Sequence, residues 1–223
     1  MRLLAPLVEP KRIIAAAHNY RDALAERGLP PPDAPNLFLK SPASVIGPGA
    51  PVHLPRGIGG VTWEAELAVV IGRPVPEISA IEAPGYVAGY FVFNDVSASE
   101  IIRADGNFER GKNFPTFAPC GPWFVTADEI PDPQNLRLRF TLNRETMQDS
   151  TTAQMLFGVA ELISRLSKTH GLGCGDVIAT GTPAGVGAVR KPPRWIKGGD
   201  IMVAEVAGLG QLVNPVIEES TDA

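Results

Sequence analysis

Two glutamates with one residue between them, Glu64 and Glu66, stand immediately before an apolar run at residues 67–71. The run predicts a buried strand. Because side chains alternate along a strand, both carboxylates would project from the same face. Two adjacent negative charges at the end of an apolar strand repel each other and resist dehydration, and a divalent cation relieves both effects. Hard cations prefer oxygen ligands, so the pair indicates a metal site.

Asp95 is the predicted third ligand. It follows an apolar run at residues 91–93 and precedes a helix that the capping-box spacing of Ser97 and Glu100 predicts. Three carboxylates from two strand ends suit Mg²⁺ first and Mn²⁺ second. Spacing alone leaves an alternative open, in which the two glutamates pair with surface lysines and Asp95 caps a helix.

Two further segments offer groups that could contact a substrate. Lys112 lies in an apolar setting before Asn-Phe-Pro and would hold an oxyanion or carboxylate, or else lie along the surface. Residues 180–187 lack the Gly-Lys-Ser/Thr ending of a Walker loop, but their glycines would let backbone N–H groups approach an anion. A plain tight turn is the alternative for this segment.

The histidines show no zinc-binding spacing, and the sequence has no Gly-x-Ser-x-Gly elbow. These absences argue against a zinc site of that type and against a serine hydrolase. His53 and His170 are interpreted as structural residues. His18 precedes the first predicted helix, and a role in the site stays open for it.

Short strands separated by turns dominate the predicted elements. Helices are predicted at residues 19–27, with Asn19 as N-cap, and at residues 152–169, with Thr151 and Gln154 at the start. The absence of a regular strand–helix alternation argues against a Rossmann fold or an α/β barrel. The predicted strands lie at residues 11–17, 36–40, 123–126, 136–142, 176–180 and 201–206.

A proline-rich link at residues 28–35 divides the predicted elements. It is expected to be stiff and extended, and it would connect a small N-terminal strand–helix segment, residues 1–35, to a body at residues 36–223. The link would allow the N-terminal segment to hinge over the body.

The composition is that of an ordinary globular protein, with 44% hydrophobic and 20% charged residues among 223. A net charge of -4 without a long basic run argues against nucleic acid and anionic membranes as partners. No apolar stretch approaches the roughly 20 residues that span a bilayer, and no signal-peptide core is present. Cys120 and Cys174 lack CxxC spacing, so we expect a reduced, cytoplasmic protein.

Taken together and in order, the motifs resemble the fumarylacetoacetate hydrolase family over roughly residues 11–215. Each segment alone is weak evidence, whereas the ordered set is specific. The segments are Asn19-Tyr20-Arg21-Asp22, Lys40-Ser41-Pro42, Ile46-Gly47-Pro48-Gly49, Glu64-Ala65-Glu66-Leu67, Val70-Ile71-Gly72, Gly89-Tyr90, Asn94-Asp95-Val96-Ser97-Ala98, Lys112-Asn113-Phe114, Pro119-Cys120-Gly121-Pro122, Gln148-Asp149-Ser150, Gly175-Asp176-Val177-Ile178, residues 180–187 and Gly199-Asp200.

The resemblance implies an α+β, β-rich fold: a mixed β-sandwich roll with a small N-terminal strand–helix lid segment, usually a homodimer. It implies Mg²⁺ or Mn²⁺ bound by Glu64, Glu66 and Asp95. Lys112 and Thr182 match positions that contact a substrate's oxo-acid end, and Gln148 matches a position near the pocket. Family members hydrolyse C–C bonds in acylpyruvates, decarboxylate oxaloacetate-like acids or isomerise hydroxy-diene diacids, and each reaction needs a stabilised enolate.

The chain departs from the family pattern at three places, one of which is Pro115, where the family often has an aspartate. Ala23 stands where many hydrolytic members have a histidine three residues before a glutamate, and Glu26 is that retained glutamate. The usual water-activating dyad is therefore incomplete. Further along, Ser99 and Glu100 replace an Arg-Asp pair, so a cation that would hold the substrate carboxylate is missing unless Arg103 replaces it.

These observations lead to a first functional hypothesis and two alternatives. The first is a Mg²⁺- or Mn²⁺-dependent hydrolase of a C–C bond in a small diketo acid of the fumarylpyruvate or acylpyruvate type. Glu26 would act as base, assisted by His18, and Lys112 would orient the substrate. The second is an isomerase or decarboxylase of a hydroxy-diene or oxo-diacid in aromatic catabolism, which Ala23 favours. The third is a non-catalytic homologue that binds a metal and an oxo acid.

Overall fold

The computed structural model describes residues 3–219. Residues 1–2 of the predicted N-terminal segment and residues 220–223 of the predicted body lie outside this range. The strands are β1 (Ile13–Ala17), β2 (Asn36–Lys40), β3 (Val45–Ile46), β4 (Val52–Leu54), β5 (Val61–Thr62), β6 (Ala65–Ile71), β7 (Val87–Asn94), β8 (Ser97–Ala98), β9 (Ala118–Thr126), β10 (Arg137–Leu142), β11 (Glu145–Thr151), β12 (Val177–Ala179), β13 (Ile201–Val206) and β14 (Gly210–Glu218). The helices are α1 (Arg21–Arg27), α2 (Ser99–Asp105), α3 (Glu109–Lys112) and α4 (Val159–Thr169).

Two mixed sheets form most of the structure. The larger has the strand order β2-β1-β12-β6-β7-β9-β3, and the smaller has the order β11-β10-β13-β14-β4. β5 and β8 form a short ladder of their own. Parallel pairing between β1 and β12 lies beside antiparallel pairing between β12 and β6. The prediction of an α+β, β-rich fold is confirmed.

The two sheets enclose the main hydrophobic core. Leu67 of β6, Phe140 of β10 and Met202 of β13 are all buried in it. Trp63 lies just before β6, and its ring stacks on Phe140 with centroids 5.2 Å apart and planes at 7°. Burying such large apolar side chains contributes about 1.5–3 kcal/mol each, so the strand that carries the two glutamates is firmly held.

A smaller apolar cluster lies on the other face of the larger sheet. Ala68 and Val70 of β6 and Phe91 and Phe93 of β7 belong to it. Glu64 and Glu66 have the same parity along the strand as Ala68, so they project toward this second face. The metal-binding candidates therefore lie at the edge of this cluster, outside the main core between the sheets.

The N-terminal strand is an inner strand of the larger sheet. β1 pairs with β2 on one side and with β12 on the other. α1 follows it and ends at Arg27, and its C-cap Gly28 has a φ of 64°, in the left-handed region that glycine tolerates best. The strand of the predicted N-terminal segment thus shares its backbone hydrogen bonds with the body.

Three predicted helix starts are wrong, and at the first two the predicted capping side chain bonds elsewhere. The Asn19 amide bonds to both the N–H and the carbonyl of Phe157 instead of capping α1. Ser97 donates to the Asp95 carbonyl, and α2 begins two residues later. The helix predicted at residues 152–169 begins only at Val159, because extended backbone at Gly158 interrupts it. At this third start, the Thr151 hydroxyl accepts from the Ala153 N–H and caps only a 3₁₀ turn at Thr152–Gln154.

The two cysteines are free, as predicted, and they differ in environment: Cys120 is buried and Cys174 is exposed. Burial raises the pKa of the Cys120 thiol to about 12, so it carries almost no thiolate at pH 8. Native protein should therefore react with a thiol reagent at Cys174 only, giving about one equivalent against two after unfolding. Cys174→Ser should remove the native reaction, and fast modification of Cys120 in folded protein would contradict this assignment.

Candidate active site

The pairing of β6 with β7 brings the three predicted metal ligands together. Glu66 lies opposite Phe93 in the antiparallel ladder, and two residues further along, the Asp95 N–H donates to the Glu64 carbonyl at 2.8 Å. Residues at the same level of adjacent strands share a face. One carboxylate oxygen from each of Glu64, Glu66 and Asp95 lies within 4.8 Å of the other two.

Two lysines lie against this carboxylate triad. The Lys112 ammonium is 2.8 Å from Glu64 Oε2 and 2.5 Å from Asp95 Oδ2. The Lys40 ammonium is 2.7 Å from Asp95 Oδ1 and donates to the Lys112 carbonyl at 2.5 Å. Both lysine side chains are buried, at 0% exposure for Lys40 and 3% for Lys112. Buried lysines of this kind are found almost only when paired.

The charges of these groups fix their protonation. Burial raises the pKa of Asp95, but the ammonium groups of Lys112 and Lys40 outweigh burial and hold its pKa below the ordinary value. Burial lowers the pKa of Lys112, whereas the surrounding carboxylates raise it above the ordinary value. Lys112 is therefore a permanent cation in the site and a poor proton acceptor.

Glu66 is the carboxylate without a lysine partner among residues 3–219. Its Oε2 accepts a hydrogen bond of 2.8 Å from the Gly181 N–H, at the end of β12. Burial and, after it, the negative charge of Asp95 raise the pKa of Glu66 well above its ordinary value. The site therefore resists a third negative charge unless another cation is supplied.

The donor set fits a divalent metal ion. Three carboxylates against two lysines leave one negative charge uncompensated. Asp95 Oδ1 is buried and accepts no hydrogen bond of good geometry from the described residues, although Lys40 is in ion-pair contact with it. Oxygen-only donors of this kind suit Mg²⁺ and Mn²⁺. Glu64, Glu66 and Asp95 would hold the ion.

A small cavity opens beside the triad. Its volume is about 40 Å³, close to that of a single water molecule, so a substrate can enter only if part of the wall moves. Glu64, Asp95 and Lys112 line one part of it. The rest is lined by Ala16, Ala17, His18, Arg27, Phe38, Phe108 and Thr182.

His18 is the only imidazole that lines this cavity, within the part of the chain that the structure describes. It has a φ of 58°, an uncommon conformation for a residue other than glycine, and its ring meets Phe108 edge-on at 6.4 Å. Partial burial and the positive charge of Arg27 lower the pKa of His18. The imidazole is therefore neutral at neutral pH and can accept a proton.

Thr182 and Gln148 form one hydrogen-bonded unit. The Thr182 hydroxyl donates to the Ala65 carbonyl at 2.9 Å and accepts from the Gln148 amide at 2.8 Å. The same amide donates to the Pro183 carbonyl and accepts from the Ala65 N–H. Thr182 lines the cavity; Gln148 is buried behind it, with its amide fully engaged. Gln148 thereby fixes the position of Thr182.

Glu26 lies apart from the triad in this structure. Its carboxylate is exposed and accepts hydrogen bonds from the Gly185 N–H at 3.0 and 3.2 Å, and it does not line the cavity. Ala23, at the position of the family histidine, is buried with 1% exposure. The catalytic role predicted for Glu26 stays a prediction.

Three side chains of the site were not predicted from the sequence. Lys40 belongs to the Lys-Ser-Pro segment of the family resemblance, but no role followed from it. Arg27 adjoins Glu26 and has no local signature. Asn19 joins two loops, since its amide also donates to the Thr180 carbonyl at 2.8 Å. Lys40 and Asn19 bond to partners more than fifty residues away in the sequence, so no local pattern marks their roles.

Residues 12–217 match the family model described as Fumarylacetoacetate (FAA) hydrolase C-terminal. This match covers nearly the whole chain, and the chain belongs to the fumarylacetoacetate hydrolase family. The predicted family is thereby confirmed. Members of the family are metal-dependent enzymes acting on small molecules, and the buried triad is consistent with that class.

Particular relatives are named as isomerising enzymes. Oxaloacetate tautomerase fahd2, mitochondrial, of Xenopus laevis is 43% identical over 217 residues, 96% of this chain and 68% of that protein. Oxaloacetate tautomerase FAHD2A, mitochondrial, of Homo sapiens is 42% identical over 216 residues, with coverages of 96% and 69%. Both names place those relatives in mitochondria, so the cytoplasmic location expected for this chain stays a prediction.

Solved structures share the fold. The 2-hydroxyhepta-2,4-diene-1,7-dioate isomerase from Mycobacterium marinum has a TM-score of 0.87 at 36% identity, covering 99% of this chain and 79% of that one. The fumarylacetoacetate hydrolase of psychrophilic Exiguobacterium antarcticum has a TM-score of 0.89 at 36% identity, covering 98% and 79%.

No helix among residues 3–219 is long and apolar enough to cross a membrane. The predicted homodimer stays a prediction.

Proposed function

We propose that this chain is a divalent-metal-dependent tautomerase or isomerase of small 2-oxo acids. One observation carries the proposal: a neutral imidazole, His18, and a permanent cation, Lys112, line the same cavity as the carboxylate triad. The water-activating histidine of hydrolytic members is replaced by the buried Ala23. Moving a proton between carbon and oxygen requires a base and charge stabilisation but no activated water.

Each group then has a defined task. A divalent ion held by the three carboxylates would act as a Lewis acid toward the oxygen atoms of a chelating 2-oxo acid. His18 accepts the proton from the carbon next to the oxo group and returns it to oxygen, so nothing is consumed. Lys112, held protonated by Glu64 and Asp95, stabilises negative charge on the substrate oxygens. The Thr182 hydroxyl already donates to the Ala65 carbonyl and accepts from Gln148, so toward the substrate it offers only its remaining lone pair.

Hydrolysis of a C–C bond in an acylpyruvate is the second candidate. The retained Glu26 and the imidazole of His18 favour it, because together they could activate water if α1 moved toward the cavity. Incubation with an acylpyruvate in ¹⁸O-labelled water separates the candidates. Heavy oxygen in a newly formed carboxylate establishes hydrolysis, whereas an intact carbon chain whose protons next to the oxo group exchange in deuterated water faster than without protein supports tautomerisation alone.

Oxaloacetate is the assay substrate that the tautomerase relatives suggest. With Mg²⁺, the protein should accelerate conversion of its enol to its keto form, followed by the fall in enol absorbance, at least about tenfold over protein-free solution. EDTA should return the rate to the spontaneous value, and added Mg²⁺ should restore it. Since Mg²⁺ itself affects the enol, the blank contains the same Mg²⁺ concentration. A rate unaffected by chelation would contradict the proposal.

A further inference from the structure

Arg27, the last residue of α1, lines the cavity, and its guanidinium has no carboxylate partner among residues 3–219. One of its nitrogens, Nη1, donates to the Ala23 carbonyl at 3.3 Å. No carboxylate among the described residues lies within ion-pair distance of it. Arg27 is only partly buried, and it lines the same cavity as Glu64 and Lys112. Most of its donors are therefore free for a ligand.

The charge balance of the cavity indicates what that ligand is. The triad and the two lysines together carry one negative charge, and a divalent ion converts this to one positive charge. The carboxylate of a chelating 2-oxo acid neutralises it. Arg27 then remains as an additional positive charge, so a monoanionic substrate leaves a cation uncompensated in the cavity.

The cavity that Arg27 lines also has apolar walls. Phe38 and Phe108 pack against each other with ring centroids 4.8 Å apart, and both line the cavity. Apolar walls exclude water and strengthen electrostatic interactions. A guanidinium matches a carboxylate with two parallel hydrogen bonds, which a lysine cannot reproduce.

We infer that Arg27 binds the second carboxylate of a dicarboxylic 2-oxo acid and thereby selects dianionic over monoanionic substrates. The inference rests on the proposed function for the chelating end of the substrate. It adds a specificity-determining residue that lies on α1, apart from the triad. Ser99 stands where the family often has an arginine, and Arg27, not Arg103, would supply the missing positive charge.

Binding of two unreactive 2-hydroxy acids tests this inference without turnover. Malate and lactate both offer a carboxylate and a hydroxyl to a metal ion, and only malate has a second carboxylate. Calorimetry on Mn²⁺-loaded protein should show malate binding about 10- to 100-fold more tightly than lactate. Arg27→Gln should remove most of this difference by weakening malate alone, with lactate affinity within about twofold.

Two matched variants complete the experiment. Arg103→Gln, on exposed α2, removes the alternative cation and should leave both affinities unchanged. Arg27→Lys keeps the positive charge but cannot donate two parallel hydrogen bonds to a carboxylate, so it should recover only part of the malate affinity. Equal loss of malate and lactate binding in Arg27→Gln, or loss of malate preference in Arg103→Gln, would overturn the inference. Mn²⁺ affinity should be the same in all variants, and absence of tautomerase turnover would refute only the proposed function.

Discussion

Replacing Glu66 with glutamine should abolish metal-dependent turnover while the protein stays folded. The amide keeps the shape of the side chain and can still accept the Gly181 hydrogen bond, but it removes one of three anionic ligands. Since a catalytic metal supplies several kcal/mol of charge stabilisation, the oxaloacetate rate with Mg²⁺ should fall on the order of 10³-fold, or to the spontaneous rate.

The stability of the same variant provides an independent measurement. Because folding raises the pKa of Glu66, its ionised form opposes folding near neutral pH, and this penalty is present above the ordinary pKa. In EDTA, Glu66→Gln should therefore melt at the same temperature as wild type or higher. Mg²⁺ should raise the melting temperature of the wild type and leave the variant unchanged.

Glu77→Gln is the matched control, because Glu77 is exposed and remote from the triad in sequence. It should keep both the rate and the Mg²⁺-induced rise in melting temperature. Retention of Mg²⁺-dependent turnover within about threefold in Glu66→Gln would contradict the assignment of Glu66 as a ligand.

Replacing Lys40 with methionine should cost about 3–5 kcal/mol of unfolding free energy in EDTA. Methionine fills similar volume but leaves Asp95 Oδ1 without its cation and the Lys112 carbonyl without its donor. An uncompensated buried charge is the expensive part of breaking such a pair. Urea denaturation measures the loss, which in a chain of this length corresponds to a fall of roughly 6–20 °C in melting temperature.

A double-mutant cycle separates the lost ion pair from lost packing. Once Lys40 is methionine, Asp95→Asn should cost less than it does in the wild type, because Asp95 then has Lys112 as its only ion-pair partner in the described part of the chain and its replacement removes a poorly compensated charge. Lys168→Met, at an exposed position of α4, should change stability by less than about 0.5 kcal/mol. Additive effects of the two substitutions would show that Lys40 and Asp95 do not interact.

The carboxylate triad could be predicted because its determinants are local. Alternation places Glu64 and Glu66 on one face, and an acid at the end of the next long strand had to lie near them. The register of β6 with β7, which brings Asp95 level with Glu64, follows from the apolar pattern of both strands. The family resemblance supported the metal site and implied the class of reaction.

The supporting residues could not be predicted, because their partners are distant in sequence. Lys40 meets Asp95 only after β2 pairs with β1 and the larger sheet assembles. Helix starts failed for the same reason: the side chain of Asn19 had a tertiary partner at Phe157 that outweighs a local cap. β14 was not predicted because Asn214 and Pro215 interrupt its apolar residues.

The most direct test of the metal assignment is a crystal structure of the protein grown with Mn²⁺, using the anomalous signal of the ion. The carboxylate cluster predicts one strong peak bonded to an oxygen of Glu64, Glu66 and Asp95, and no such peak in crystals of Glu66→Gln. A peak elsewhere in the molecule, or none at the triad at saturating Mn²⁺, would contradict it.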